Sequence, residues 1–276
     1  VTHAEDQDEV DRARHAVTKC DEWAHIKNAS RVTTREEAHA VCRSLEADLQ
    51  QTKATACSKY LEAMKGLDEP DCAASLPADP QTAELPSMLS CVQETADWWE
   101  DFNASVTPLA VSCDEASAAH EDKKSSCDTA QTTFEATFCS YRTQLTGACS
   151  AYDECRDSEV AEQEDVQAKV QVAEASRKAQ YVAAAHIECY LEVLMASPQE
   201  QHGLLEKCSS LTVLTTQLNM NYHEVPVGVG CDVSPVATHP CQELWLQEQY
   251  EGEKWYSNAP TIACTPCEVK ETSASV

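Results

Sequence analysis

The sequence predicts an all-α protein: an elongated, disulfide-stapled bundle of long antiparallel helices with an irregular, cysteine-rich C-terminal segment. Three observations predict it. Alanine is frequent up to Ala196, and only Ala237, Ala259, Ala263 and Ala274 follow. Helix breakers show the same boundary. Residues 1–69 hold no Pro and only Gly66, and residues 109–197 hold no Pro and only Gly147. The last quarter carries Pro226, Pro235, Pro240, Pro260 and Pro266, with Gly228 and Gly230. Third, the 16 Cys are dispersed at intervals of a few helical turns, the spacing that bridges between neighbouring helices need. The expected organisation is a helical bundle over 1–220 and a disulfide-held tail over 221–276 packed on it.

Residues 5–27 read as the first helix, with Glu5, Asp6, Asp8 and Glu9 at the positive end of its dipole. Thr34 followed by Glu37 has the pattern of a capping box. It would open a second helix ending near Lys65, with Ala38, Val41, Leu45, Leu49, Ala56 and Tyr60 facing inward. Pro70, Pro77, Pro80, Pro86 and Pro108 mark turns and loops, so 70–86 reads as loop. A short helix near 88–101 carries Trp98 and Trp99. From 109 to 197 the apolar residues form one stripe. Phe134, Phe138, Tyr141, Leu145, Cys149, Tyr152 and Cys155 lead to Val166, Val170 and Ala173, then Ala184, Ile187, Leu191 and Leu194. An unbroken helix here would be about 130 Å long at ~1.5 Å per residue. A break near Gly147 or around 157–163 is the alternative. A further helix is expected over 199–220. Such narrow stripes bury little area per residue, so disulfides supply stability that the core does not.

Composition excludes several functions. The chain has 276 residues, 47 acidic against 20 basic, for a formal charge of -27. Nucleic-acid binding needs clustered Lys and Arg, and docking on an anionic membrane needs the same. No apolar run reaches the ~18 residues of a membrane span. Sixteen Cys do not suit a reducing cytosol. All are expected in disulfides: Cys20, Cys42, Cys57, Cys72, Cys91, Cys113, Cys127, Cys139, Cys149, Cys155, Cys189, Cys208, Cys231, Cys241, Cys264 and Cys267. Two sequons, at Asn28 and Asn103, predict glycosylation on a secretory route. The start at Val1 reads as a mature form after signal removal. The expected compartment is extracellular or the lumen of a secretory organelle.

Motifs of chemistry are sparse. Cys264-Thr265-Pro266-Cys267 is a CxxC, but a redox role wants it at a helix start in a βαβ fold, and zinc wants a second close pair of ligands. Structural disulfides are the expected reading. The nine His form no HExxH pair, and His186 beside Ile187 reads as packed or surface. No nucleophile elbow is present. Gly228-Val229-Gly230 lacks the third glycine of a dinucleotide fingerprint and reads as a turn. The acidic runs at 5–9 and 159–165 read as solvated faces; loose divalent cations are possible partners, but no calcium-loop pattern occurs. No catalytic, cofactor or defined metal site is expected. Trp98, Trp99, Trp245 and Trp255 are the candidate interface residues. Trp245, Tyr250, Trp255 and Tyr256 are also expected to pack the tail onto the helices.

A resemblance adds to this reading. Cys127, Phe134-Glu135, Phe138-Cys139, Tyr141, Leu145, Cys149, Tyr152 and Cys155 stand in one helical module. Tyr190-Leu191, Trp255-Tyr256, Ala259-Pro260 and Cys264-Thr265-Pro266-Cys267 follow. Together they resemble a group of secreted, cysteine-rich helical proteins of dinoflagellate-type algae, over about a third of the chain. The resemblance implies an extracellular or lumenal building block, often repeated within larger chains, and carries no functional residues with it.

The expectation is a structural or interaction subunit of an extracellular or lumenal assembly: a filament, a flagellar hair, a surface layer or an extrinsic subunit of a large complex. Its partners would be other protein subunits, including copies of itself. The alternative is a secreted binding module for a basic protein or for an apolar ligand, held in an Ala-rich slot at Tyr181 and Ala183–Ala185. An enzyme is not expected.

Overall fold

The computed structural model describes residues 2–25, 29–66, 68–74 and 85–267; Asn28 of the first sequon lies outside them. The helices are α1 (His3–Lys19), α2 (Ala29–Lys65), α3 (Asp71–Ala74), α4 (Leu85–Met195), α5 (Gln201–Ser209) and α6 (Glu243–Leu246). A 3-10 turn, Cys20–Ala24, follows α1, and a π turn, Gln247–Glu251, follows α6. No strand occurs among the described residues. All sixteen Cys are paired, in eight disulfides.

Several elements differ from expectation, each for a local reason. A capping box lies at the start of α1 and not at Thr34. Thr2 Oγ1 accepts the Glu5 N–H at 3.2 Å, and the Thr2 N–H donates to Glu5 Oε2 at 2.6 Å. Thr34 sits inside α2, its hydroxyl donating to the Ser30 carbonyl at 2.9 Å. The expected 88–101 and 109–197 helices are one helix, which runs through Pro108, Gly147 and 157–163. Pro108 and Ala104 are exposed, so water can reach the carbonyl that the proline leaves without its helical donor. Gly147 costs about 1 kcal/mol in a helix, but buried Leu145 and Cys149 hold it on both sides. Pro86 is the second residue of α4, in the first turn, where its missing N–H has no helical acceptor. Residues 71–74 are a helical turn instead of loop. The helix expected over 199–220 stops at Ser209, because Thr212, Val213, Thr215 and Thr216 form a run of β-branched residues.

The chain forms two compact units, interleaved in sequence. The first is Val1–Ile26 with Gln144–Pro235; the second is Lys27–Thr143 with Val236–Val276. The tail expected as one segment over 221–276 is thus shared, with a part to each unit.

In the first unit α1 lies antiparallel to α4. Cys20 bonds Cys155 near one end, and Asp6 pairs with Arg177 near the other. Val10, Val166, Val170 and Met220 form the core, flanked by Ala13 and Tyr222. Cys149–Cys231 and Cys189–Cys208 staple the later segments. The Gly-Val-Gly turn has two causes. A Cβ on Gly228 would lie 2.4 Å from the Tyr152 hydroxyl. Gly230 is left-handed at φ 71°, and its N–H donates to that hydroxyl at 3.1 Å.

In the second unit α2 lies antiparallel to α4, stapled by Cys42–Cys127 and Cys57–Cys113, with Cys72–Cys91 beyond. Cys139–Cys267 and Cys241–Cys264 hold the tail. The inward face of α2 is not the apolar one. Ala38, Val41 and Leu45 are exposed, and Leu49, Ala56 and Tyr60 are half-buried. His39, Arg43 and Glu46 are buried instead. The bridge at Cys42 turns its neighbours at one helical turn toward α4.

Candidate functional site: sealed clasps and open apolar faces

The densest polar constellation lies in the second unit. His39, Arg43, Glu46, Gln131 and Glu135 are each at most 2 % exposed. Arg43 Nη1 donates to Glu46 Oε2 at 2.7 Å. Its Nη2 donates to Asp128 Oδ1 at 2.9 Å and Gln131 Oε1 at 2.8 Å, and its Nε to His39 Nε2 at 3.3 Å. Burial, reinforced by the Arg43 charge, pushes His39 down to about 4, so the ring is neutral and can accept that bond. Gln131 then grips the tail backbone. Its Nε2 donates to the Ile262 carbonyl at 2.9 Å, and its Oε1 accepts the Ile262 N–H at 3.0 Å. Glu135 takes the Tyr250 hydroxyl at 3.0 Å and the Thr265 N–H at 2.9 Å. Burial and Glu135 push the Tyr250 phenol well above its usual range.

Aromatic rings close this clasp. Trp245 packs on Phe134, Phe138 and Tyr250, and His39 lies against Phe134, Tyr250 and Trp255. Proton transfer to a substrate needs a group within hydrogen-bond reach of it. Arg43, Gln131 and Glu135 spend their polar atoms on one another, on their neighbours and on the tail, while the indole N–H groups of Trp245 and Trp255 are buried without a hydrogen-bond partner. Chemically it is a lock that holds the tail to α2 and α4.

The first unit has a counterpart nearer the surface. Gln7 Nε2 donates to the Asn221 carbonyl at 3.0 Å, and Gln7 Oε1 accepts the Asn221 N–H at 2.9 Å. Gln163 and Gln167 both donate to the His223 carbonyl, at 3.2 and 2.7 Å. The Tyr222 hydroxyl donates to Glu174 Oε2 at 2.7 Å, and His223 pairs with Asp11 at 2.8 Å.

The expected interface residues divide. Trp245 and Trp255 are buried, at 1 % and 4 % exposure, so as interface candidates they are corrected: their rings are spent on packing the tail. Trp98 is half-buried and Trp99 is 55 % exposed; with Phe102 they form an aromatic cluster, centroids 4.8–5.4 Å apart. Asn103 is exposed, and its Oδ1 accepts from Thr107 at 2.7 Å. Cys264 and Cys267 bond Cys241 and Cys139, so the CxxC holds no free thiol. The stretch at Tyr181 and Ala183–Ala184 is exposed helix surface and not an enclosed slot.

Two stretches of α4 carry large apolar side chains into water. In the second unit these are Leu85, Leu89, Val92 and Trp99, with Leu61 and Met64 on α2 also exposed. In the first unit they are Ile187, Leu191, Leu194 and Met195. The last of the α4 apolar stripe is not core. The structure leaves Ile187, Leu191 and Leu194 open at 60, 51 and 75 %, because α5 approaches that end on the Cys189 side.

Open clefts lie among the described residues of both units. One is lined by Tyr152, Arg156, Val160 and Gly228 in the first unit, and another by Thr52, Thr55, Lys59 and Leu109 in the second. Among the described residues, no cluster of three or more His, Cys, Asp or Glu could hold a metal ion. No described helix is long and apolar enough to cross a membrane. Eight disulfides belong to an oxidising compartment. The chain matches no family model, no curated protein and no solved structure.

Proposed function

We propose that the protein is a non-enzymatic structural or interaction subunit of an extracellular or lumenal assembly. A filament, a flagellar hair, a surface layer and an extrinsic subunit of a large complex all fit. The observation that carries this reading is the pair of open apolar stretches on α4, set on helices held together by disulfides. Exposed apolar faces rimmed by polar groups mark interaction sites. The resemblance to secreted algal building blocks points the same way. So does the sequon at Asn103, which is exposed.

At a formal charge of -27, copies repel one another unless cations or a basic partner intervene. Assembly therefore depends on salt or divalent cations. Size-exclusion chromatography with multi-angle scattering tests this on material from the native source. The expected result is a large assembly that changes with chelator or with a roughly tenfold change in ionic strength. A compact monomer under every condition overturns it.

A further inference from the structure

We infer that the open face of α4 at Ala184, Ile187, Leu191 and Leu194 receives an amphipathic, lysine- or arginine-bearing helix of a different protein. This inference deepens the subunit reading above and rests on it. Its first support is register. Val166, Val170, Ala173, Arg177, Gln180, Ala184, Ile187, Leu191 and Leu194 follow one another by alternating steps of four and three. That is the spacing of a helix–helix seam.

Over the early part of this seam the partner is α1. Val10 packs on Val166 and Val170, and Asp6 pairs with Arg177. The capping box at Thr2 ends α1 at His3, three residues before Asp6, and further along α4 Ala184, Ile187, Leu191 and Leu194 are exposed. The open face is thus continuous with an established helix–helix interface, so its occupant is a helix in the line of α1.

Charge selects the chemistry of that helix. Glu188 and Glu192 are exposed on the rim. From 181 to 209 the acidic residues are Glu188, Glu192, Glu200 and Glu206, against Lys207 alone as Lys or Arg. A second copy of this acidic chain would set carboxylates against carboxylates, whereas basic flanks on the occupant pair with this rim.

The test uses the full chain and a labelled amphipathic peptide of 17 residues, the length of α1. Its seam positions are Leu and its flanks Lys; a control peptide carries Glu flanks. Fluorescence anisotropy reads binding to the native protein and to a triple variant, Ile187→Ser, Leu191→Ser and Leu194→Ser. All three side chains are exposed, so the fold tolerates the change, and circular dichroism checks it. The Lys peptide is expected to bind the native protein and to lose at least about tenfold in affinity on the variant. The Glu peptide is expected not to bind. Equal binding of the Lys peptide to both proteins, or of both peptides to the native protein, overturns the proposal. So does self-association of the native protein that the variant abolishes, because the occupant is then a second copy. Scattering separates this inference from the reading beneath it. A Lys peptide that binds both proteins equally, with native assemblies still large, overturns the face while the subunit reading stands. A chain that is monomeric in every condition overturns that reading instead.

Discussion

Gln131 and Gln7 grip the tail by one geometry, a side-chain amide paired with both the N–H and the C=O of a backbone residue. Their surroundings differ. Gln131 is fully buried beside Arg43, Glu135 and a wall of aromatic rings. Gln7 is half-buried and its bonds lie at the surface. Water reaches a lost partner freely at the second site; at the first it reaches the tail side, where Ile262 is exposed, but not the buried side, where Gln131 meets Arg43 and Glu135. The comparison teaches that the same pair of hydrogen bonds contributes little where solvent competes and is costly to break where solvent is shut out.

The largest expected effect comes from removing the charge that organises the buried clasp. Arg43→Met leaves the Glu46 carboxylate buried with its cation gone, and should destabilise the second unit by about 3–5 kcal/mol. Urea denaturation followed by tryptophan fluorescence measures it. A loss below about 1 kcal/mol would show that water already enters the network.

Acid should act on the same clasp. His39 stays neutral in the folded chain down to about pH 4, whereas the unfolded ring protonates near 6.5. The stability owed to the neutral ring is intact above pH 6.5 and drains as the pH falls toward 4. It amounts to about 3 kcal/mol over that window. His39→Leu should flatten the slope of stability against pH between 6.5 and 4; an unchanged slope assigns the acid response to other groups.

The direct comparison comes last. Gln131→Ala takes a partner from buried Arg43 and Glu135 and should cost about 2–3 kcal/mol, whereas Gln7→Ala should cost less than about 1 kcal/mol. Equal losses from the two variants would refute the role given to water.

How far the sequence was legible depends on the kind of signal. The apolar stripe of α4 and the turn at Gly228–Gly230 could be read directly, because period and glycine are local signals. The packing role of Trp245 and Trp255 was legible too, but not their depth, so they also stood as interface candidates. The clasps escape a reading of apolar periodicity, which says nothing of polar positions. Yet Gln131 and Glu135 bracket Phe134, and Gln163 and Gln167 bracket Val166, so polar residues in register with the stripe were the available signal. The inward face of α2 was misread for a similar reason. Val41 and Leu45 look like core, but the partner of Cys42 decides which side faces α4, and no pairing is written in the sequence. The exposure of Ile187, Leu191 and Leu194 was beyond reach, since it depends on where α1 stops along the seam.

The interleaving of the two units has a consequence for how the chain is made. Cys20 waits for Cys155, a separation of 135 residues, and Cys139 waits for Cys267, a separation of 128. At about 5–20 residues per second of synthesis, Cys20 spends roughly 7–27 s as a reactive thiol before its partner exists. Bridges between near neighbours, such as Cys72–Cys91, meet their partners much sooner. Each cysteine that has emerged can in the meantime bond with another that should wait. Any premature bond made by Cys20 or Cys139 must be exchanged before Cys155 or Cys267 can take its place.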